Sequence, residues 1–340
     1  MTKHVSLIRI FSFLLCVLCP FLAGAEDSGD AAEELFQEGY VLYQQYSGIR
    51  SLEKFRAAAE LGHIEAAYYA GNIIRQDYTY ITKESEDYFR QAAGGGDVYA
   101  MLRLGQQDSV CGTLRDCDYD LGAWIDRALN TALTRANAGD SDAMMELFSV
   151  YWQKGERSKA FEWTKKAAEH GNPFAQYWLA VGLLDERKMG FYWTQSSRQE
   201  DILNWLRESA EQGFPKAMLK LALELRKIGQ HQEAQYWVEK MGKTDYYDAI
   251  LESGTAIMLG PDAATLYGQN SDYGFAEPRP VKGAALLLAL HRQTGKKAPL
   301  EMIEAYQDHL TPEMMAEAEA LSKELLVDKP ILHYLPKFGI

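Results

Sequence analysis

Two short stretches of the chain carry the residue types and spacing of reactive sites. Ser51-Leu52-Glu53-Lys54 sets a hydroxyl three residues ahead of an amine, the spacing in which a lysine can activate a serine for attack on an acyl group. Neither companion motif of that chemistry is recognisable downstream, and the stretch falls at a predicted helix start. Met241-Gly242-Lys243-Thr244 ends like a phosphate loop, but such a loop needs a second glycine five residues ahead of Gly242, and Trp237 stands there. Of the histidines beyond residue 25 (His63, His170, His231, His291, His309, His333), no two are spaced by three or four, the separation that puts two imidazoles on one helix face for a metal. Carboxylates are plentiful, but Glu84, Glu86 and Asp87, or Glu317, Glu319 and Glu324, read as solvated helix faces rather than as a paired acid and base. These observations predict no catalytic set, no metal and no cofactor.

The chain opens with Lys3 and Arg9, runs through the apolar stretch 10–22 and reaches Ala23-Gly24-Ala25, small residues at the positions a signal peptidase reads. Residues 1–25 are therefore expected to be a cleaved leader, and the mature chain to be periplasmic. No later run approaches the ~20 apolar residues of a membrane span, so no stable membrane insertion is expected. Cys16 and Cys19 follow Leu15 and Leu18 rather than a small residue, which argues against a lipid anchor. Only Cys111 and Cys117 then remain. Six apart in an oxidising compartment, they point to one small disulfide loop, with two free thiols as the alternative.

Composition narrows the partners. With 35 Lys+Arg against 48 Asp+Glu and a net charge of −13, the chain is a poor match for a phosphate backbone or an anionic membrane surface, so no nucleic acid is expected. A 47% apolar share is ample for a core.

What must position any site is a repeat. Ala58-Ala59-Glu60-Leu61-Gly62 with Ala66 recurs as Ala92-Ala93-Gly94-Gly95-Gly96 with Ala100, and as Ala167-Ala168-Glu169-His170-Gly171 with Ala175. Close variants end at Gly139 and Gly213, and a degenerate copy keeps Trp237 and Ala249 in register. A glycine that can end one helix, followed by Asp97, Asp140 or Asn172 as cap of the next, is a helix-turn-helix joint. Alanines either side of the joint let two helices approach closely. Tyr88, Trp163 and Trp205, each eight residues before its glycine, and Trp237 are expected in the core.

Joints near 62, 96, 139, 171, 213, 245 and 295 give alternating short and long units over residues 26–327, followed by a tail at 328–340. The surplus of the long units, including Cys111–Cys117, the aromatic stretch 189–193 and the Gly/Pro-rich stretch 260–280, should loop out on one edge. Tyr78, Tyr80, Phe191, Tyr192, Trp193, Tyr267 and Tyr273 are out of phase with the core and are the expected partner contacts.

The pattern aromatic, Ala-Ala, two residues, Gly, Asp or Asn, two residues, Ala resembles the Sel1-like repeat, a relative of the tetratricopeptide unit, over residues 33 to 327. Leu310-Thr311-Pro312-Glu313 resembles the closing helix of such proteins. The resemblance implies an all-α fold, an α/α solenoid of Sel1-like repeats in a curved superhelix, and a protein-binding rather than enzymatic role. Among exported members of that family are immunity proteins that occlude phospholipase effectors of type VI secretion, and scaffolds of envelope or exopolysaccharide assembly. The leader, the acidic charge and the aromatic loops favour the first, with a secreted phospholipase effector as partner; the scaffold is the alternative.

Overall fold

The computed structural model describes residues 19–338 except 79, 107–119, 186–192 and 269–270, with side chains from residue 29 onward. Residues 1–18 of the expected leader, the Cys111–Cys117 pair, Phe191 and Tyr192 lie outside the described residues. Every regular element among the described residues is helical, and the chain is an all-α repeat fold. It divides into two compact units, Met1–Leu121 and Gly122–Ile340.

The first unit contains α1 (Cys19–Gln44), α2 (Gly48–Glu60), α3 (Ile64–Gln76), α4 (Lys83–Gly94) and α5 (Val98–Leu104), each packed on the next. Its joints follow from local chemistry. Gly96 takes φ +97°, a conformation that a side chain would strain, and the Asp97 carboxylate accepts from Ala100 N–H at 2.7 Å to cap α5. At the preceding joint His63 does the same work, its Nδ1 accepting from Ala66 N–H while the ring stacks on Phe36 at 4.3 Å. Ala58, Ala59, Ala66, Ala92, Ala93 and Ala100 are all buried, and the space between helices is filled by Phe55 stacked on Tyr69, centroids 4.9 Å apart.

Gly122–Ile340 continues the pattern with α6 (Leu121–Asn137), α7 (Ser141–Gln153), α8 (Arg157–Glu169), α9 (Pro173–Leu184), α10 (Gln195–Glu211), α11 (Pro215–Lys227), α12 (His231–Met241) and α13 (Tyr247–Leu259). After a turn at Gly260–Asp262 come α14 (Ala263–Tyr267), α15 (Pro280–Thr294), α16 (Ala298–Glu304) and α17 (Pro312–Ser322). Asp140 and Asn172 cap α7 and α9 as the sequence predicts.

One expectation about the core is corrected. Trp237 is buried, but Tyr88, Trp163 and Trp205 are only half-buried. The buried positions of α4 are Ser85, Phe89, Ala92 and Ala93, an i, i+4, i+7, i+8 stripe, and position 88 falls beside it; 163 and 205 stand likewise on the flank of α8 and α10. Phe89, one residue later, fills the core in place of Tyr88.

The stretch 260–280 is not looped out as expected. Its last part folds back over α12 and α13: Gln235 Nε2 donates to the Tyr273 and Gly274 carbonyls at 3.0 and 2.6 Å, and Arg279 N–H donates to the Ile257 carbonyl at 3.0 Å. Arg279 and Lys282 both reach Glu239 at 2.7 Å. Residues 328–338, the tail of the sequence reading, also lie against the array. Leu332 N–H donates to the Asp245 carbonyl at 2.7 Å, Tyr247 N–H donates to the Leu332 carbonyl at 3.1 Å, Ile331 is buried, and the Tyr334 ring sits between Phe214 and Tyr246.

Candidate interaction groove

The second helices of successive hairpins, α9, α11 and α13, begin at the same register after each joint, so equivalent residues align in rows. Val181, Leu223 and Thr255 occupy one row, and Tyr177, Leu219 and Leu251 another. None of these is fully buried, so the rows present a stripe of mostly apolar side chains. Between α11 and α13 the stripe deepens into a cavity of about 400 Å³. Leu219, Leu223 and Arg226 line it from α11, a four- and three-residue spacing along one face. Asp248, Leu251, Glu252, Thr255, Ala256 and Leu259 line it from α13, and Ala263, Tyr267, Ser271, Tyr273 and Met302 close the far side. Its walls are apolar, with a few polar groups converging at one end.

The polar end is held by three side chains. Tyr273 O–H donates to Glu252 Oε1 at 2.5 Å, Arg226 Nη1 donates to the same oxygen at 3.3 Å, and the Arg226 guanidinium lies over the Tyr273 ring, 4.6 Å from its centroid. Burial, with the Glu252 charge acting in the same direction, pushes the Tyr273 phenol far above its ordinary range, so it stays a donor. Asp248, one turn before Glu252 and exposed at the cavity, accepts from the Tyr246 O–H at 2.7 Å.

At the N-terminal ends of the same helices the capping chemistry changes. Where Asn172 caps α9, Phe214 and Tyr246 stand at the equivalent positions before α11 and α13 and make no side-chain cap. They belong instead to a run of edge-to-face rings, Trp178 to Phe174, Phe174 to Phe214, Phe214 to Tyr334 and Tyr334 to Tyr246, at centroid separations of 5.7 to 6.2 Å. A lost cap costs about 1 kcal/mol. The aromatic edge offsets it through packing with the 328–338 segment.

Of the expected partner contacts, Tyr267 is half-exposed and Tyr273 is 2% exposed, and both face the cavity. Tyr273 is therefore corrected from a surface anchor to a buried wall, because the stretch carrying it packs onto α12 rather than projecting. Trp193 is 91% exposed ahead of α10. Tyr78 and Tyr80 are exposed in the first unit with centroids 6.0 Å apart, and form no part of the cavity. Sequence reading missed Leu219, Leu223, Arg226 and Glu252. The i, i+4, i+7 spacing of Leu219, Leu223 and Arg226 on α11 was visible, but it is shared by core positions.

The two motif-like stretches have structural roles. Ser51 is buried and its hydroxyl donates to the Gly48 carbonyl at 2.8 Å, while Lys54 pairs with Glu38. Thr244 O–H donates to the Met241 carbonyl at 2.8 Å within the joint. Among the described residues no three His, Cys, Asp or Glu side chains group as metal ligands, and no helix is long and apolar enough to cross a membrane.

Fold and groove together define an all-α helical-repeat protein with an apolar groove on one face. No family model matches the chain. It is similar to an F-box protein of Arabidopsis thaliana, 33% identical over 99 residues, which cover 29% of this chain and 26% of that protein; the chain thus spans about a quarter of that relative's length. Among solved structures it resembles a protective antigen of uropathogenic Escherichia coli displaying an SLR fold, with 22% identity and a TM-score of 0.47 over 92% of this chain and 65% of that one. It also resembles a Sel1 repeat protein from Oxalobacter formigenes, with 21% identity and a TM-score of 0.34 over 63% of this chain and 86% of that one.

Proposed function

We propose that the protein is a periplasmic binding solenoid, exported by loss of residues 1–25, that binds and neutralises a type VI secretion lipase or phospholipase effector. The observation that supports a protein-binding role most directly is the groove itself: an apolar stripe on α9, α11 and α13, deepened to about 400 Å³ and lined at its far side by exposed Tyr267. Aromatic anchors beside apolar pockets carry a disproportionate share of binding energy. The acidic charge, the leader pattern and the Sel1-like repeat support the immunity reading.

The test has two parts. Affinity capture with the full chain from an extract of effector-producing cells should recover a lipase in equal ratio, and co-expression should protect cells carrying that lipase in the periplasm. Replacing Phe191, Tyr192 and Trp193 together with Ala should leave helicity and melting temperature unchanged while weakening binding at least ~100-fold, since such anchors commonly cost ~2–4 kcal/mol each. Capture of envelope-assembly components alone would overturn the immunity reading. The Cys111–Cys117 disulfide belongs to the same proposal, and two alkylatable thiols in periplasmic material would remove it.

A further inference from the structure

The geometry points to a specific chemistry for what enters the cavity: a lysine or arginine side chain of the partner, flanked by apolar residues. This inference rests on the protein-binding reading above and gives it a recognition element. Two carboxylates, Asp248 and Glu252, stand four residues apart on α13 and line the cavity, against one lining cation, Arg226. The Arg226 guanidinium donates to Glu252 Oε1 at 3.3 Å and lies over the Tyr273 ring. Glu252 Oε2 and Asp248 Oδ1 accept no hydrogen bond from the described residues. Lys216 and Lys296 lie outside the cavity lining, within electrostatic reach of Asp248. Among the lining residues themselves, carboxylates exceed cations by one.

The walls suit the rest of such a side chain. Leu219, Leu223 and Leu251 offer an apolar lining against which a lysine or arginine stem can lie, with the charged head carried on to the two carboxylates. An anionic side chain would meet the same carboxylates and be repelled. An apolar side chain would fill the walls but leave the carboxylates desolvated by the partner and unpaired, which is unfavourable. The net charge of −13 favours approach of a basic segment from a distance.

Fluorescein-labelled, acetylated and amidated hexapeptide pools provide the probe, with one position fixed as Lys, Arg, Gln or Glu and the others drawn from Leu, Ala and Ser. Polarisation against the full chain at low salt should give Lys and Arg pools at least ~10-fold tighter binding than the Glu pool, with the Gln pool between. The double variant Asp248→Asn/Glu252→Gln should reduce the Lys preference at least ~5-fold while melting with the parent, because the amide oxygen left at position 252 can still accept from Tyr273 and Arg226. Leu223→Ala should weaken all pools together. Equal binding of Lys and Gln pools, no effect of the double variant, or no binding by any pool would each overturn the proposal. Retention of a captured lipase at parental affinity by the double variant would sink the cavity chemistry and leave the protein-binding reading standing. Failure of the parent chain to capture any protein would instead sink the reading on which it rests.

Discussion

Gly283→Ala is expected to destabilise Gly122–Ile340, although alanine is the better helix former. In α15, Gly283 faces α13 so closely that an added Cβ would stand nearer than 3.0 Å to the Met258 backbone nitrogen and the Gly254 carbonyl oxygen. Real Cβ atoms essentially never come so near. Backbone atoms cannot rotate aside, so the two helices must separate. The gain from helix propensity is about 1 kcal/mol, and overpacking of a tight contact costs typically ~1–3 kcal/mol. Because the clash is with backbone, the upper part of that range applies, and the net loss is about 2 kcal/mol.

For a unit of this size each kcal/mol moves the melting temperature by roughly 2–4 °C, so Gly283→Ala should melt some 4–8 °C below the parent by circular dichroism. Gly254→Ala, whose nearest neighbours are side-chain atoms of Leu287, should lose less. Gly94→Ala in α4, with nothing within 4 Å of its Cβ, should be neutral or slightly stabilising. A Gly283→Ala protein that melts at or above the parent would refute the claim that α13 and α15 touch through bare backbone.

Three further outcomes are expected. Asp140→Ala removes an acceptor for the Asp142 and Ala143 N–H groups, both 3.0 Å away, and should cost about 1–2 kcal/mol, read as a lower urea midpoint with unchanged slope. Ile331→Ala empties a buried position under the 328–338 segment and should cost about 2–5 kcal/mol; a midpoint equal to the parent's would mean that the segment does not pack there. Burial, reinforced by Lys296 and Lys216 and opposed by Asp248, holds His333 below its ordinary value of about 6.5, so the fold favours neutral imidazole, which can accept from the Lys296 ammonium at 2.7 Å. The stability it contributes is therefore complete above about pH 6.5 and lost as pH falls below it, and His333→Gln should flatten the fall in melting temperature between about pH 7.5 and 5.5.

The all-α class was legible because alanine, glycine and cap residues act locally. Ala168 and Ala175 bracket a joint whose geometry depends only on Gly171, φ +83°, and on Asn172 accepting from Ala175 N–H at 2.9 Å. The depth of each aromatic was less legible, since Tyr88 and Phe89 differ by about 100° around α4 and a spacing counted from the glycine cannot choose between them. The 260–280 stretch was misread for a different reason. Its glycines and prolines have the composition of a loop, yet they mark contacts: Gly260, φ +52°, lies under the Glu277 backbone and Gly274, φ +73°, under His231, so the stretch is pinned at two points where larger residues would be excluded. Those contacts join residues far apart in sequence, and nothing local announces them.

The same irregularity shapes the cavity between α11 and α13. In the regular joints, polar caps and paired alanines bring neighbouring helices into close contact. At α13 the alanine pair is absent, Gly283 of α15 closes onto Gly254 from one side, and the returning stretch supplies Tyr273 as a wall from the other. Tyr273 is fixed there by Glu252 and Arg226, which are themselves cavity residues. The departure from the repeat thus does two things at once: it ends the stacking that the alanines propagate, and it brings the Tyr273 wall against the carboxylate of Glu252.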